Sequence, residues 1–143
     1  MTLILCDTDF LIKATTQPLP ELAQFLSSPE YELATLAKIE SELRGLLRSE
    51  NKVTSRKAKT ALGSLELKKV KVIDQKLEKS RADADVLLVD YASKSKDQVI
   101  VATLDHSILS ILEKRRLPYL TLHKNRPFFR SFESATYLLH KGQ

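Results

Sequence analysis

Six carboxylates stand where the hydrophobic pattern of the chain changes. Asp7 and Asp9 follow the apolar run Leu3-Ile4-Leu5-Cys6, Glu42 lies inside an amphipathic stretch, Asp83 and Asp85 precede Val86-Leu87-Leu88, and Asp105 follows the β-branched run at 98–103. Aspartate at such places is a favoured helix cap and stabilises the positive end of the helix dipole. The repetition argues for a shared role, because a parallel sheet brings its strand ends and the starts of the following helices to one edge. Carboxylates gathered there repel, raise each other's pKa and lose hydration. A divalent cation resolves that conflict, and an all-oxygen donor set suits Mg²⁺ or Mn²⁺, which keep waters and accept phosphate oxygens. The chemistry open to such a site is activation of water against a phosphodiester.

The elements that must position these acids can be read in order. Residues 2–6 form a buried strand, with Asp7 at its carboxyl end and Asp9 placed to cap a helix begun by Phe10, Leu11 and Ile12. Pro18 and Pro20 break the chain before a short helix at 21–26, and 31–35 is a weak strand. Leu36, Ile39, Leu43 and Leu46 recur at the helical period, so a helix carries Glu40 and Glu42. At about 100° per residue those two glutamates flank the apolar stripe on opposite sides, which leaves the choice between them open. A basic helix at 54–67, a strand at 70–73, a helix at 86–95, a strand at 98–103, a helix opened by Asp105 and a strand at 119–122 follow. Strands alternating with helices imply right-handed crossovers and a mostly parallel sheet. Beyond 123 the pattern allows an edge strand or a closing helix. Phe128 and Phe129 read as core residues ahead of bases' stacking partners.

The 143 residues fit a single domain, 1–143, with no apolar run long enough to span a membrane. No basic leader precedes the first strand, so a cytoplasmic location is expected. Cys6, the lone cysteine, reads as a packed thiol. Only three glycines and no glycine-rich loop make a dinucleotide fold a poor match. The formal net charge is +5, and between Arg44 and Arg81 twelve Lys and Arg face four Asp and Glu. That concentration points to a polyanion partner.

Four stretches in this order resemble the PIN-domain nucleases over nearly the whole chain: Asp7-Thr8-Asp9 after the first strand, Glu42-Leu43 on a helix, Ala82-Asp83-Ala84-Asp85 opening a helix, and Thr103-Leu104-Asp105 after a strand. The resemblance implies an α/β, PIN-like three-layer sandwich, with a central, mostly parallel sheet of four to five strands flanked by helices. It implies a Mg²⁺- or Mn²⁺-dependent endoribonuclease in which Asp7, Glu42, Asp85 and Asp105 hold metal. Asp83 is a further ligand candidate, and Thr8, Asp9 and Thr103 are auxiliary. It is also the resemblance that favours Glu42 over Glu40, and it makes Asp85 the helix-opening aspartate. Asp9 stands where the family has asparagine. RNA, single-stranded or structured, is the implied substrate. A homodimer and an antitoxin or ribosome-assembly partner are implied associations.

Within that family, ribosomal RNA processing or RNA turnover competes with a VapC-type toxin role, and Glu42-Leu43-Arg44-Gly45-Leu46 leans toward the former. A catalytically inactive RNA-binding PIN-like module would keep the basic face without needing the acids. A phosphatase of the haloacid-dehalogenase type also opens on Asp-x-Asp, but it needs threonine or valine where Leu11 stands.

Overall fold

Leu3, Ile4, Leu5 and Cys6 are buried; a strand apolar at every position belongs in the middle of a parallel sheet covered on both faces. This is what the computed structural model, which describes residues 1–67, 69–75 and 83–132, shows for β1 (Thr2–Cys6). Ala82, the connection at 76–80 and the tail pattern at 133–143 lie outside the described residues. The remaining strands are β2 (Tyr31–Leu36), β3 (Lys71–Ile73), β4 (Gln98–Ala102), β5 (Tyr119–His123) and β6 (Arg126–Arg130). They form one six-stranded sheet in the order β3-β2-β1-β4-β5-β6.

All neighbours are parallel except β5 and β6. Those two form a hairpin whose turn residues, Lys124 and Asn125, both have positive φ (51° and 66°). Two such residues twist the turn to match the strands, and asparagine tolerates that backbone well. The sheet has six strands where four or five are expected, and the stretch that could have been strand or helix is an edge strand. Phe128 and Phe129 do not enter the core there: they are 50% and 39% exposed. An edge strand has one neighbour and little cover, and among the described residues only Phe129 of the two finds a ring, Phe25, at 5.8 Å.

The helices are α1 (Thr8–Thr16), α2 (Pro20–Leu26), α3 (Ala37–Leu46), α4 (Lys52–Glu66), α5 (Ala84–Lys94) and α6 (His106–Arg115). The chain steps from β1 to β2 to β3 in one direction and from β4 to β5 in the other. With right-handed crossovers the two sets of helices therefore fall on opposite faces. Accordingly α1, α3 and α4 pack on one another, and α5 packs on α6. Phe10, Leu11, Ile39 and Leu43 bury the first set against the sheet, and Leu88 and Leu112 bury the second. No helix among the described residues is long and apolar enough to cross a membrane.

The basic helix α4 starts at a built cap. The side chain of Asn51 accepts from the backbone N–H groups of Val53 and Thr54 at 3.0 and 3.2 Å. Removing it in Asn51→Ala leaves two helix-end donors to water and lowers stability by about 1 kcal/mol. Urea denaturation should show that loss with an unchanged slope.

Candidate active site

Because β1 hands the chain to β2 on one side and β4 hands it to β5 on the other, a crevice opens where the carboxyl ends of β1 and β4 meet, the place where open α/β sheets bind ligands. Asp7 emerges there from β1, with its N–H donating to the Ala102 carbonyl of β4 at 2.9 Å. Thr35, buried in β2, donates to the Cys6 carbonyl at 2.7 Å and fixes the same strand end from the other side. Around this point lies an open depression of about 760 Å³ lined by Asp7, Asp9, Glu42, Asp83, Asp85 and Asp105, together with Thr8 and Lys38. All of the acids singled out from the sequence thus come to one place, from four segments of the chain.

The polar contacts explain how they are held. Asp7 is the N-cap of α1, its Oδ1 accepting from the Thr8 N–H at 2.8 Å. Its Oδ2 accepts from the Thr103 hydroxyl at 2.9 Å, and Thr103 Oγ1 in turn accepts from the Asp105 N–H at 3.1 Å. Thr103 is fully buried, so one hydroxyl under the floor joins the two strand-end aspartates. On the other side the Thr8 hydroxyl donates to Glu42 Oε2 at 2.8 Å, linking α1 to α3. Glu40 takes no part: it pairs with Arg44 at 3.5 Å and does not line the depression. The helical phase left the two glutamates equivalent, and the neighbouring threonine separates them.

Asp9 corrects the sequence reading. Helix α1 begins at Thr8, two residues earlier than a helix capped by Asp9 would, so Asp7 is the cap and Asp9 lies exposed in the first turn. A similar shift occurs at α5, which starts at Ala84 rather than 86. Asp83 is therefore its N-cap position, although its side chain makes no capping bond, and Asp85 lies in the first turn with Oδ1 accepting from Val86 N–H at 2.9 Å. Asp105 caps α6, with both bonds from Ser107, N–H at 2.9 Å and Oγ at 2.6 Å, falling on Oδ1.

Burial pushes the Asp7 carboxyl above its ordinary pKa; the nearby Asp9 and Glu42 charges add to the effect, and the Thr8 N–H and Thr103 hydroxyl oppose it. Asp105 goes the other way, lowered chiefly by the Ser107 hydroxyl and N–H. Cys6, directly beneath, is inert: burial pushes its thiol up to about 12.

The donor chemistry suits a hard divalent ion, since the lining acids offer only oxygen. Among the described residues no three acidic, histidine or cysteine side chains already converge on one coordination point. A divalent ion bound here would have to keep part of its water shell, as Mg²⁺ usually does.

Lys38 and Ser107 escaped the sequence reading. Lys38 carried one signal, its position four residues before Glu42 on the same helical face. Ser107 carried another, since Asp-x-Ser at a helix start is a local capping pattern.

These features define an α/β fold with an acidic depression at its topological switch point. No protein-family model matches the sequence, and no curated protein matches it. Among solved structures, the PIN domain endonuclease Utp24 superimposes with a TM-score of 0.65, at 16% identity over 91% of this chain and 92% of that one. At that identity the likeness is one of architecture, and the fold is PIN-like.

Proposed function

We propose that this protein is a single-domain, Mg²⁺- or Mn²⁺-dependent endoribonuclease. The observation that carries the proposal is the convergence of Asp7, Glu42, Asp85 and Asp105 on one depression at the sheet's switch point. Its architectural likeness is to an endonuclease. In this proposal Asp7, Glu42, Asp85 and Asp105 hold the ion, directly or through water, and Asp83 adds charge at the rim. Thr8 and Thr103 fix the orientations of Glu42 and Asp7, and Asp9 adds negative charge beside them. When bound, such an ion lowers the pKa of water and stabilises the charge that develops on the phosphate and its leaving oxygen. The chain's own part is to place carboxylates, exclude alternative rotamers by hydrogen bonds, and hold the polyanion nearby.

The exposed Arg44, Arg48, Lys52, Arg56, Lys57 and Lys59 on and between α3 and α4 supply that hold, contacting backbone phosphates irrespective of base. The motif resemblance supports RNA over DNA. It also supports a role in ribosomal RNA processing or RNA turnover ahead of a toxin role.

Labelled single-stranded RNA incubated with the protein should be cut in Mn²⁺ or Mg²⁺ and left intact with chelator. Glu42→Gln should lower the cleavage rate by roughly 10-fold or more, whereas Glu40→Gln should stay within about 2-fold of wild type. Binding without metal-dependent cleavage would instead support an inactive RNA-binding module. Equal effects of the two glutamate substitutions would remove Glu42 from the site.

A further inference from the structure

A phosphodiester that enters the depression meets six carboxylates, and the only cation among the described residues lining it is Lys38. Lys38 lies in the first turn of α3, which leaves β2 without a loop: β2 ends at Leu36 and the helix starts at Ala37. Leu36 has no side chain able to cap, so the first N–H groups of α3 have no side-chain partner from the capping position. Lys38 therefore brings positive charge to the depression from the first turn of α3, where the helix dipole also favours an anion. Lys38 is also the one residue shared between the acidic depression and a smaller cleft of about 260 Å³ lined by Ser41, Asp74 and Gln75. A polynucleotide running from one cavity to the other passes Lys38.

From this placement we infer that Lys38 is the phosphate-seating residue of the site, binding the non-bridging oxygens of an RNA phosphate at the boundary of the acidic depression. The inference rests on the nuclease reading for its substrate, but it makes its own demand on binding. Without this cation the acids repel the strand that the basic helices attract. With it, a phosphate is held at a fixed place relative to Asp7 and Glu42. Glu42 lies one helical turn beyond Lys38, so the seat and a proposed metal ligand move as one rigid unit.

The test compares wild type with Lys38→Met, which keeps the apolar stem and removes the charge, and with Lys38→Arg, which restores a charge. Lys114→Ala, in the last turn of α6, serves as the remote control. Binding of a short labelled single-stranded RNA is followed by fluorescence anisotropy in chelator across a salt series, and cleavage is followed in Mn²⁺.

The Lys38→Met variant should bind roughly 5- to 20-fold more weakly, with the slope of log affinity against log salt shallower by about 0.7, the signature of one lost single-strand phosphate contact. The Lys38→Arg variant should recover most of that loss, and Lys114→Ala should change neither quantity. In cleavage, the Lys38→Met defect should fall mainly on KM. Affinity and salt slope unchanged in Lys38→Met, or equal to those of Lys114→Ala, would overturn the inference even if the protein cuts RNA. Lys38-dependent binding by a protein that does not cut RNA in metal would uphold the phosphate seat and remove the nuclease reading.

Discussion

Asp7→Asn should abolish RNA cleavage, by roughly 1,000-fold or more, and at the same time make the metal-free protein more stable. The loss in rate corresponds to about 4 kcal/mol of transition-state stabilisation. It is expected because an amide neither ligates a hard cation well nor contributes charge. The gain in stability follows from the raised pKa of Asp7. A carboxyl whose folded-state pKa lies above its unfolded value contributes stability below the unfolded pKa, and that contribution is lost as pH rises through the folded pKa.

At neutral pH the ionised Asp7 is therefore a cost to the fold, imposed by its burial and by Asp9 and Glu42. Asparagine keeps an acceptor for the Thr8 N–H and removes the charge, but its Nδ2 replaces the oxygen that accepts from the Thr103 hydroxyl, which offsets part of the relief. The expected gain is about 1 kcal/mol, which for a chain of this size is roughly 2–5 °C in Tm. Calorimetry at neutral pH should show the variant melting higher, and the difference should shrink as pH falls below the ordinary aspartate range. Saturating Mg²⁺ should raise the wild-type Tm more than the variant's, because only ligand binding to the native state shifts the equilibrium. A variant that melts lower than wild type at neutral pH, or that still cuts RNA, would remove Asp7 from the role proposed.

The strongest local signals in the sequence proved the most durable. Leu3 to Cys6 is apolar at every position, a pattern only a doubly covered strand explains, and the strand sits at the centre of the sheet. Thr103-Leu104-Asp105 follows an equally buried strand, and the two strands are neighbours. Their aspartates had to meet. Boundaries were less legible, since helix starts depend on which polar side chain wins the first N–H groups. Asp7 wins at α1, leaving Asp9 exposed.

What a periodicity cannot contain is a partner distant in sequence. Glu40 and Glu42 are distinguished by Thr8, thirty-four positions from Glu42. Lys38 acquires meaning only when the acids of other segments are placed around it. The edge strand β6 depends on a turn, Lys124-Asn125, that lacks glycine and so carries a muted signal. The likeness to a solved PIN domain endonuclease is one of fold, at 16% identity.

Thr103→Val tests whether the buried hydroxyl is what sets the active geometry. Thr103 is inaccessible to solvent, and its Oγ1 both donates to Asp7 Oδ2 and accepts from the Asp105 N–H. Valine fills the same volume and satisfies neither partner, so a carboxylate oxygen and a backbone donor are left short of a bond in a place water reaches poorly. That costs about 1–3 kcal/mol. The same change withdraws a hydrogen bond from the charged form of Asp7, which moves its pKa further upward.

Two consequences separate this from simple destabilisation. Cleavage should fall by roughly 10- to 100-fold at neutral pH, and the acidic limb of the pH–rate profile should shift to higher pH. Thr103→Ser supplies the contrast: it keeps the hydroxyl and loses only a methyl, so it is destabilised by about 1 kcal/mol while its acidic limb stays with wild type. By comparison the Thr8 hydroxyl bond to Glu42 is exposed, and water replaces it readily, so Thr8→Val should move the rate by only a few-fold. Superimposable pH–rate profiles for the valine and serine variants would show that Thr103 fills space and does not position Asp7. A shifted limb in the valine variant alone assigns the positioning to one oxygen atom beneath the site.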